Sequence, residues 1–237
     1  MSTILEIKEL CGGYEKSDEV LQGINLNVAQ GESVGIIGLN GSGKSTFGKA
    51  VMNMLPYRKG SIVFNQQHVE KKSTYELTQL GIAIMHQGGV VFPNLSVWQN
   101  LQLAFGNKQH TTHNAQLQEI IPLLHQPKKE LMRIMADKLS GGQRHELALA
   151  MTMARSPKLV ILDEPSAGLS PKDAENTYAM LRQLREEFDI TILVIEQNIS
   201  RAKEFCSRCL LFGQGKIQCE YSGDSLKVEN IESLLFN

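Results

Sequence analysis

The residues whose types and spacing can do chemistry begin at Gly38-Leu39-Asn40-Gly41-Ser42-Gly43-Lys44-Ser45, followed by Thr46. A G-x-x-x-x-G-K-S run between a strand and a helix cradles polyphosphate. Its glycines let the backbone wrap the phosphates closely, and its N–H groups point inward as an anion nest. The next helix adds the partial positive charge of its N-terminus. Lys44 supplies a formal charge for β- and γ-phosphates, and Ser45 offers a hydroxyl to Mg²⁺. A second group is Asp163-Glu164, at the end of the apolar run Leu159-Val160-Ile161-Leu162. In open α/β sheets ligands bind at the carboxyl ends of strands. There Asp163 can hold Mg²⁺ through its water shell, and Glu164 can orient or deprotonate an attacking water. A third is Leu139-Ser140-Gly141-Gly142-Gln143, where Ser140 and two glycines before a helix make a second anion cradle. One nucleotide does not need two cradles from one chain, but a C₂ or pseudo-C₂ dimer uses both.

These groups need elements to position them. Residues 33–37 read as a buried strand, and 46–55 as a helix packing Phe47, Ala50, Val51, Met54 and Leu55. Residues 4–10, 24–28, 61–64 and 82–85 read as strands, with Ile24, Leu26 and Val28 alternating against Asn25 and Asn27. From about 87 to 153 the texture turns amphipathic. A helix opens at Ser96, residues 114–126 and 128–136 look helical, and a helix over 144–155 packs Leu147, Ala148, Ala150, Met151 and Ala154. Residues 159–163 and 190–195 are strands buried on both faces. Ser170-Pro171 starts the helix between them, with Ser170 as N-cap and Asp173 and Glu175 in the first turn. The tail reads as a helix, two strands around Gly213-Gln214-Gly215, and a short C-terminal helix.

The 237 residues suit one large α/β domain with a second lobe, and a net charge of −1 argues against a nucleic-acid partner. There is no signal-peptide pattern and no apolar stretch of the ~20 residues that span a bilayer. Among four cysteines, Cys206-x-x-Cys209 has redox or metal spacing but lacks a second pair, so it reads as structural. His86 and His145 have no ligand-spaced partners.

The Leu139–Gln143 run and the order of motifs resemble those of the ATP-binding cassette (ABC) family over essentially the whole chain. The resemblance implies a P-loop α/β core with an antiparallel β lobe (1–87 and 154–237) and a helical signature subdomain (88–153), in one domain of 237 residues. It implies ATP hydrolysis with Mg²⁺, with Lys44, Glu164 and Gln197 as catalytic residues. Gly38 to Thr46 bind ATP, Tyr14 stacks on adenine, and Ser45, Gln87 and Asp163 serve the metal. Ser140, Gly141, Gly142 and Gln143 meet the partner's ATP, and Ser166–Ser170 crosses to the other subunit. Gln197 occupies the position usually held by a histidine that senses the γ-phosphate. Ser170-Pro171, Glu196-Gln197-Asn198 and Val91–Val97 are similar to the shorter ATPase subunit of branched-chain (hydrophobic) amino acid and related amide importers. The resemblance therefore implies membrane subunits and a second ATPase subunit as partners, at the cytoplasmic face of the membrane. Gly88 to Pro93 is too apolar for a free loop and would form part of a groove for a short helix of the membrane subunit, the alternative being that Val91 and Phe92 anchor the helical insert. The alternatives are a non-transport member of the family and a weakly hydrolysing regulatory subunit.

Overall fold

The computed structural model describes residues 2–105 and 130–222. In chain order these form β1 (Thr3–Gly13), β2 (Leu21–Ala29), β3 (Ser33–Ile37), α1 (Lys44–Val51), β4 (Tyr57–Phe64), β5 (Gln67–His68), α2 (Thr74–Leu80), β6 (Ile82–Met85) and α3 (Val97–Phe105). After two 3₁₀ turns, Leu131–Arg133 and Ala136–Lys138, come α4 (Gly141–Met153), β7 (Leu159–Asp163), α5 (Pro171–Phe188), β8 (Thr191–Glu196), α6 (Ile199–Phe205), β9 (Arg208–Gly213) and β10 (Lys216–Ser222).

The strands make two sheets. One is antiparallel, in the order β2-β1-β4-β5; the other runs β10-β9-β3-β8-β7-β6. In the second sheet β9, β3, β8, β7 and β6 are parallel, and β10 closes the edge antiparallel to β9. Alternate residues of its central strands feed two cores, as the period-2 geometry of a strand requires. Val34, Ile36, Ile161 and Ile195 join α1 and the first sheet, whereas Ile37, Val160, Leu162 and Val194 join α4, α5 and α6. That burial on both faces is why these strands read as unbroken apolar runs.

Several sequence expectations changed. The helix expected over 46–55 ends at Val51, and Met54 is exposed. Asn53 takes a left-handed φ of 56°, and its side chain donates to the carbonyls of Val69 and Lys72, both at 2.7 Å. Residues 131–138 form 3₁₀ turns instead of the helix expected over 128–136. Backbone bonds from Ala136 N to Leu95 O and from Asp137 N to Pro93 O tie them to the approach to α3 and replace helical pairing. The helix expected over 114–126 and the C-terminal helix lie outside the described residues. The strand expected over 61–64 extends back to Tyr57, because β4 pairs along β1 as far as Gly13.

Candidate functional site

Register places the site. Ile37 pairs with Glu196, Asp163 with Ile195, and Met85 with Leu162. Gly38, Gln197 and Glu164, which directly follow β3, β8 and β7, and Gln87, two residues after β6, therefore leave the sheet at one edge. This is the carboxyl end of the parallel strands, where open α/β sheets bind ligands.

Between β3 and α1 the glycine run forms a tight loop. A Cβ on Gly38 would lie 2.2 Å from Phe212 O, so only glycine passes that strand. Gly43 takes a φ of 101° and stands at the start of α1, whose first N–H groups receive no side-chain cap. Uncapped donors at a helix N-terminus are what a phosphate binds. Lys44 is 5% exposed, and its Nζ donates to Gly38 O at 2.7 Å and Leu39 O at 2.8 Å. Burial holds its ammonium below the ordinary lysine value, opposed by the charges of Glu164 and Asp163. The side chain expected on phosphates thus closes its own loop here. Leu39 and Asn40 lie at the exposed tip, and Ser42 Oγ is buried without a partner.

Asp163 and Ser45 are 118 positions apart, yet Ser45 Oγ donates to Asp163 Oδ1 at 2.9 Å. Burial raises the Asp163 carboxyl above the ordinary aspartate value; the Ser45 bond opposes this and the charge of Glu164 adds to it. Among the described residues no group of three or more His, Cys, Asp or Glu is placed to hold an ion. A hydroxyl and one under-compensated carboxylate still suit Mg²⁺, which keeps several waters and takes further oxygens from phosphate.

Glu164 follows Asp163 with a left-handed φ of 50°. A non-glycine residue there is uncommon and marks local strain of the kind found at functional sites. The turn sends the two adjacent carboxylates to different partners. Glu164 Oε2 accepts from Gln87 Nε2 at 2.6 Å, and Oε1 accepts from Gln197 Nε2. Gln87 and Gln197, expected at the metal and the γ-phosphate, both lie on Glu164 in this structure.

Tyr14 is 51% exposed and stands against α1. Its hydroxyl lies 3.5 Å from Thr46 Oγ1 and accepts from Lys49 Nζ at 3.2 Å. The Thr46 bond and Lys49 hold the phenol below its ordinary pKa, against a smaller effect of burial. Lys49 Nζ also lies over the half-exposed ring, 5.4 Å from its centroid.

Ser140 caps α4: its Oγ accepts from Gln143 N at 3.2 Å, and Gln143 Oε1 accepts from Ser140 N at 3.0 Å. This capping box takes one lone pair of the Ser140 hydroxyl and leaves its proton available to donate to an anion. Gly141 has open space where a side chain would be, whereas Gly142 packs against Asp173 of α5. In the stretch after Gln87, Val91 packs on the core, while Val90 and Phe92 are 70% and 51% exposed.

Three buried residues have surroundings that the sequence did not foretell. Asn100, fully buried, holds the Phe92 backbone through both N–H and C=O. His145 is buried against Pro165, and burial lowers its pKa. Glu196 is a buried carboxylate beside Gln197. Its one legible signal was an acid ending an apolar strand. Cys206 and Cys209 are buried free thiols.

Residues 21–167 match the ABC transporter family. The probable branched-chain amino acid transport ATP-binding protein LivF of Archaeoglobus fulgidus is 32% identical over 217 residues, covering 90% of each chain. The xylose/arabinose import ATP-binding protein XylG of Sulfolobus acidocaldarius is 28% identical over 239 residues, 99% of this chain and 94% of that one. A solved dimer of an ATP-binding cassette in a post-hydrolysis state, bound to ADP and Pi, matches with a TM-score of 0.80 at 24% identity, over 92% of this chain and 98% of that one. That last likeness is one of fold.

Proposed function

The chain belongs to the ABC transporter family as an ATP-hydrolysing, nucleotide-binding subunit, and we propose that its transporter imports branched-chain or other hydrophobic amino acids or related amides. The similarity to a LivF protein and the Ser170-Pro171 and Glu196-Gln197-Asn198 variants support that substrate class. The single observation that carries the chemistry is the Ser45–Asp163 bond beside Glu164. It brings the phosphate loop after β3 and the acidic end of β7 together at the edge where β8 and β6 also end.

In this reading ATP lies along Gly38 to Thr46 with adenine on Tyr14. Lys44 exchanges the loop carbonyls for the β- and γ-phosphates, and Glu164 leaves its glutamine partners to orient the attacking water. Ser45 and Asp163, with Gln87, would hold Mg²⁺, which would supply charge neutralisation when bound. Phosphoryl transfer of this kind depends mostly on positioning and electrostatics. Two ATPase subunits close over the nucleotides, with Ser140 to Gln143 of each facing the partner's ATP and Ser166 to Ser170 crossing between them. The chain acts as one domain, with a nucleotide-binding core over 1–87 and 154–237 and a helical signature subdomain over 88–153. In the same reading the subunit acts peripherally, at the cytoplasmic face, on separate membrane subunits, as the family resemblance implies; among the described residues no helix is long and apolar enough to cross a membrane.

The test is phosphate release from Mg-ATP together with gel filtration of Glu164→Gln. Turnover lost in the variant, with ATP retained in a dimer, is the expected outcome. A variant that hydrolyses like wild type, or that stays monomeric with ATP at high concentration beside wild-type partner subunits, refutes the reading. One observation favours a second reading, a weakly hydrolysing regulatory subunit: both oxygens of Glu164 are occupied by amides. Turnover at the background rate with intact ATP binding would select it.

A further inference from the structure

Glu196 is the last residue of β8 and is 3% exposed. A carboxylate so buried persists only where donors fill its lone pairs. Oε1 accepts from Ser166 Oγ at 2.7 Å and from Tyr178 Oη at 2.6 Å. Oε2 accepts from the backbone N–H of Gln197 at 3.2 Å. Arg201 of α6 donates to Ser166 Oγ at 2.8 Å. The single hydroxyl proton of Ser166 therefore goes to Glu196 while its lone pair takes Arg201, which fixes the hydroxyl in direction.

These bonds tie the side chain of Ser166 to the backbone of Gln197, beside the direct link in which Glu164 O accepts from Ala167 N at 3.1 Å. Ser166 is the buried inner end of the loop whose tip, Gly168, is exposed. Gln197 carries the amide that sits on Glu164. The side-chain path from the loop to Gln197 runs through Ser166 Oγ and the Glu196 carboxylate, and the Gln197 amide carries it to Glu164. We propose that Glu196 is a positioning residue that ties the Ser166–Ser170 loop to Gln197, so that displacement of the loop by a second subunit resets the hold of Gln197 on Glu164. The inference rests on the dimeric ATPase reading above.

Glutamine at position 196 keeps the shape and removes the charge. Its amide oxygen then serves the Gln197 N–H, which can only donate, and its NH₂ turns to the two hydroxyls, which can accept. The Ser166 proton loses its acceptor, as it does by another route in Ser166→Ala. The experiment measures kcat and KM for ATP in full-length wild type, Ser166→Ala, Glu196→Gln and the double variant, with a melting temperature for each.

Each single change is expected to lower kcat about tenfold with KM for ATP within about twofold. The double variant is expected to be no slower than the slower single one, because both act on one path. Losses that multiply in the double variant, or a kcat within about twofold of wild type in either single variant, overturn the proposal. Losses of kcat that simply follow the melting temperature overturn it as well. If Glu196→Gln does not fold, Ser166→Ala decides by the same kcat and KM criterion. Wild type is assayed first, and a wild type without turnover refutes the ATPase reading itself and the inference with it.

Discussion

Glu164 offers the sharpest quantitative test, through the residue that restrains it. Its Oε2 accepts from Gln87 at 2.6 Å, and its Oε1 is covered by the Gln197 amide. Each oxygen keeps a second lone pair that a water can use, but the two amides fix the direction of the carboxylate, and turning it toward a new water costs one of those bonds. A hydrogen bond to a charged group is worth about 1.5–3 kcal/mol net, and the exposure of Gln197 puts this one at the lower end. Releasing it corresponds to roughly a tenfold change in rate. Gln197→His withdraws the flexible amide and restores a donor for the γ-phosphate that carries charge when protonated. Charge-assisted bonds are about twice as strong as neutral ones, so both effects act in one direction. The expected outcome is slow phosphate release by the wild-type protein alone and a kcat about tenfold higher for Gln197→His. With an ordinary histidine pKa of ~6.5, the imidazolium forms as pH falls, so the gain should be larger at pH 6 than at pH 8. Slow wild-type turnover would favour pairing with a second subunit that carries histidine. An unchanged or lower rate for Gln197→His, with ATP affinity intact, would refute the argument, as would an imidazolium that remained on Glu164.

Lys44→Ala removes the one formal positive charge of the phosphate loop and should weaken ATP binding and abolish turnover; equilibrium binding of a fluorescent ATP analogue beside a phosphate assay checks both, and retained turnover contradicts the assignment. Phe92→Ser should uncouple transport in the assembled transporter while the ATPase of the isolated subunit stays within about twofold, because Phe92 is 51% exposed and Val91 does the packing. Equal loss of both activities would return Phe92 to a packing role. Asn100→Ala leaves the Phe92 N–H and the carbonyls of Phe92, Leu95 and Ser96 without their side-chain partner. That should cost about 3 kcal/mol, or roughly 6–12 °C in melting temperature by calorimetry; a drop below about 2 °C would show that the buried amide is dispensable.

The sequence alone determined the parts whose physics is local. The G-x-x-x-x-G-K-S spacing specifies a strand, a close turn and a helix start, because glycine conformation and helix-end donors are properties of a few neighbouring residues. The apolar runs 159–163 and 190–195 were legible as doubly buried strands because burial on both faces removes polar alternation. Ser140 and Ser170 were legible as helix starts, although the sequence could not say that Ser140 would use its hydroxyl on Gln143. Tertiary structure decided whatever depends on partners distant in sequence. Helix α1 stops at Val51 because Asn53 bonds to Val69 and Lys72, and 131–138 form 3₁₀ turns because Leu95 and Pro93 take their backbone donors. No spacing rule carries the register of β6, β7 and β8, yet that register sets Gln87 and Gln197 on either side of Glu164. Glu196 was hidden for the same reason: a carboxylate at the end of an apolar strand is unremarkable until Ser166, Tyr178 and the Gln197 backbone converge on it, and those donors come from segments that only the folded sheet brings together.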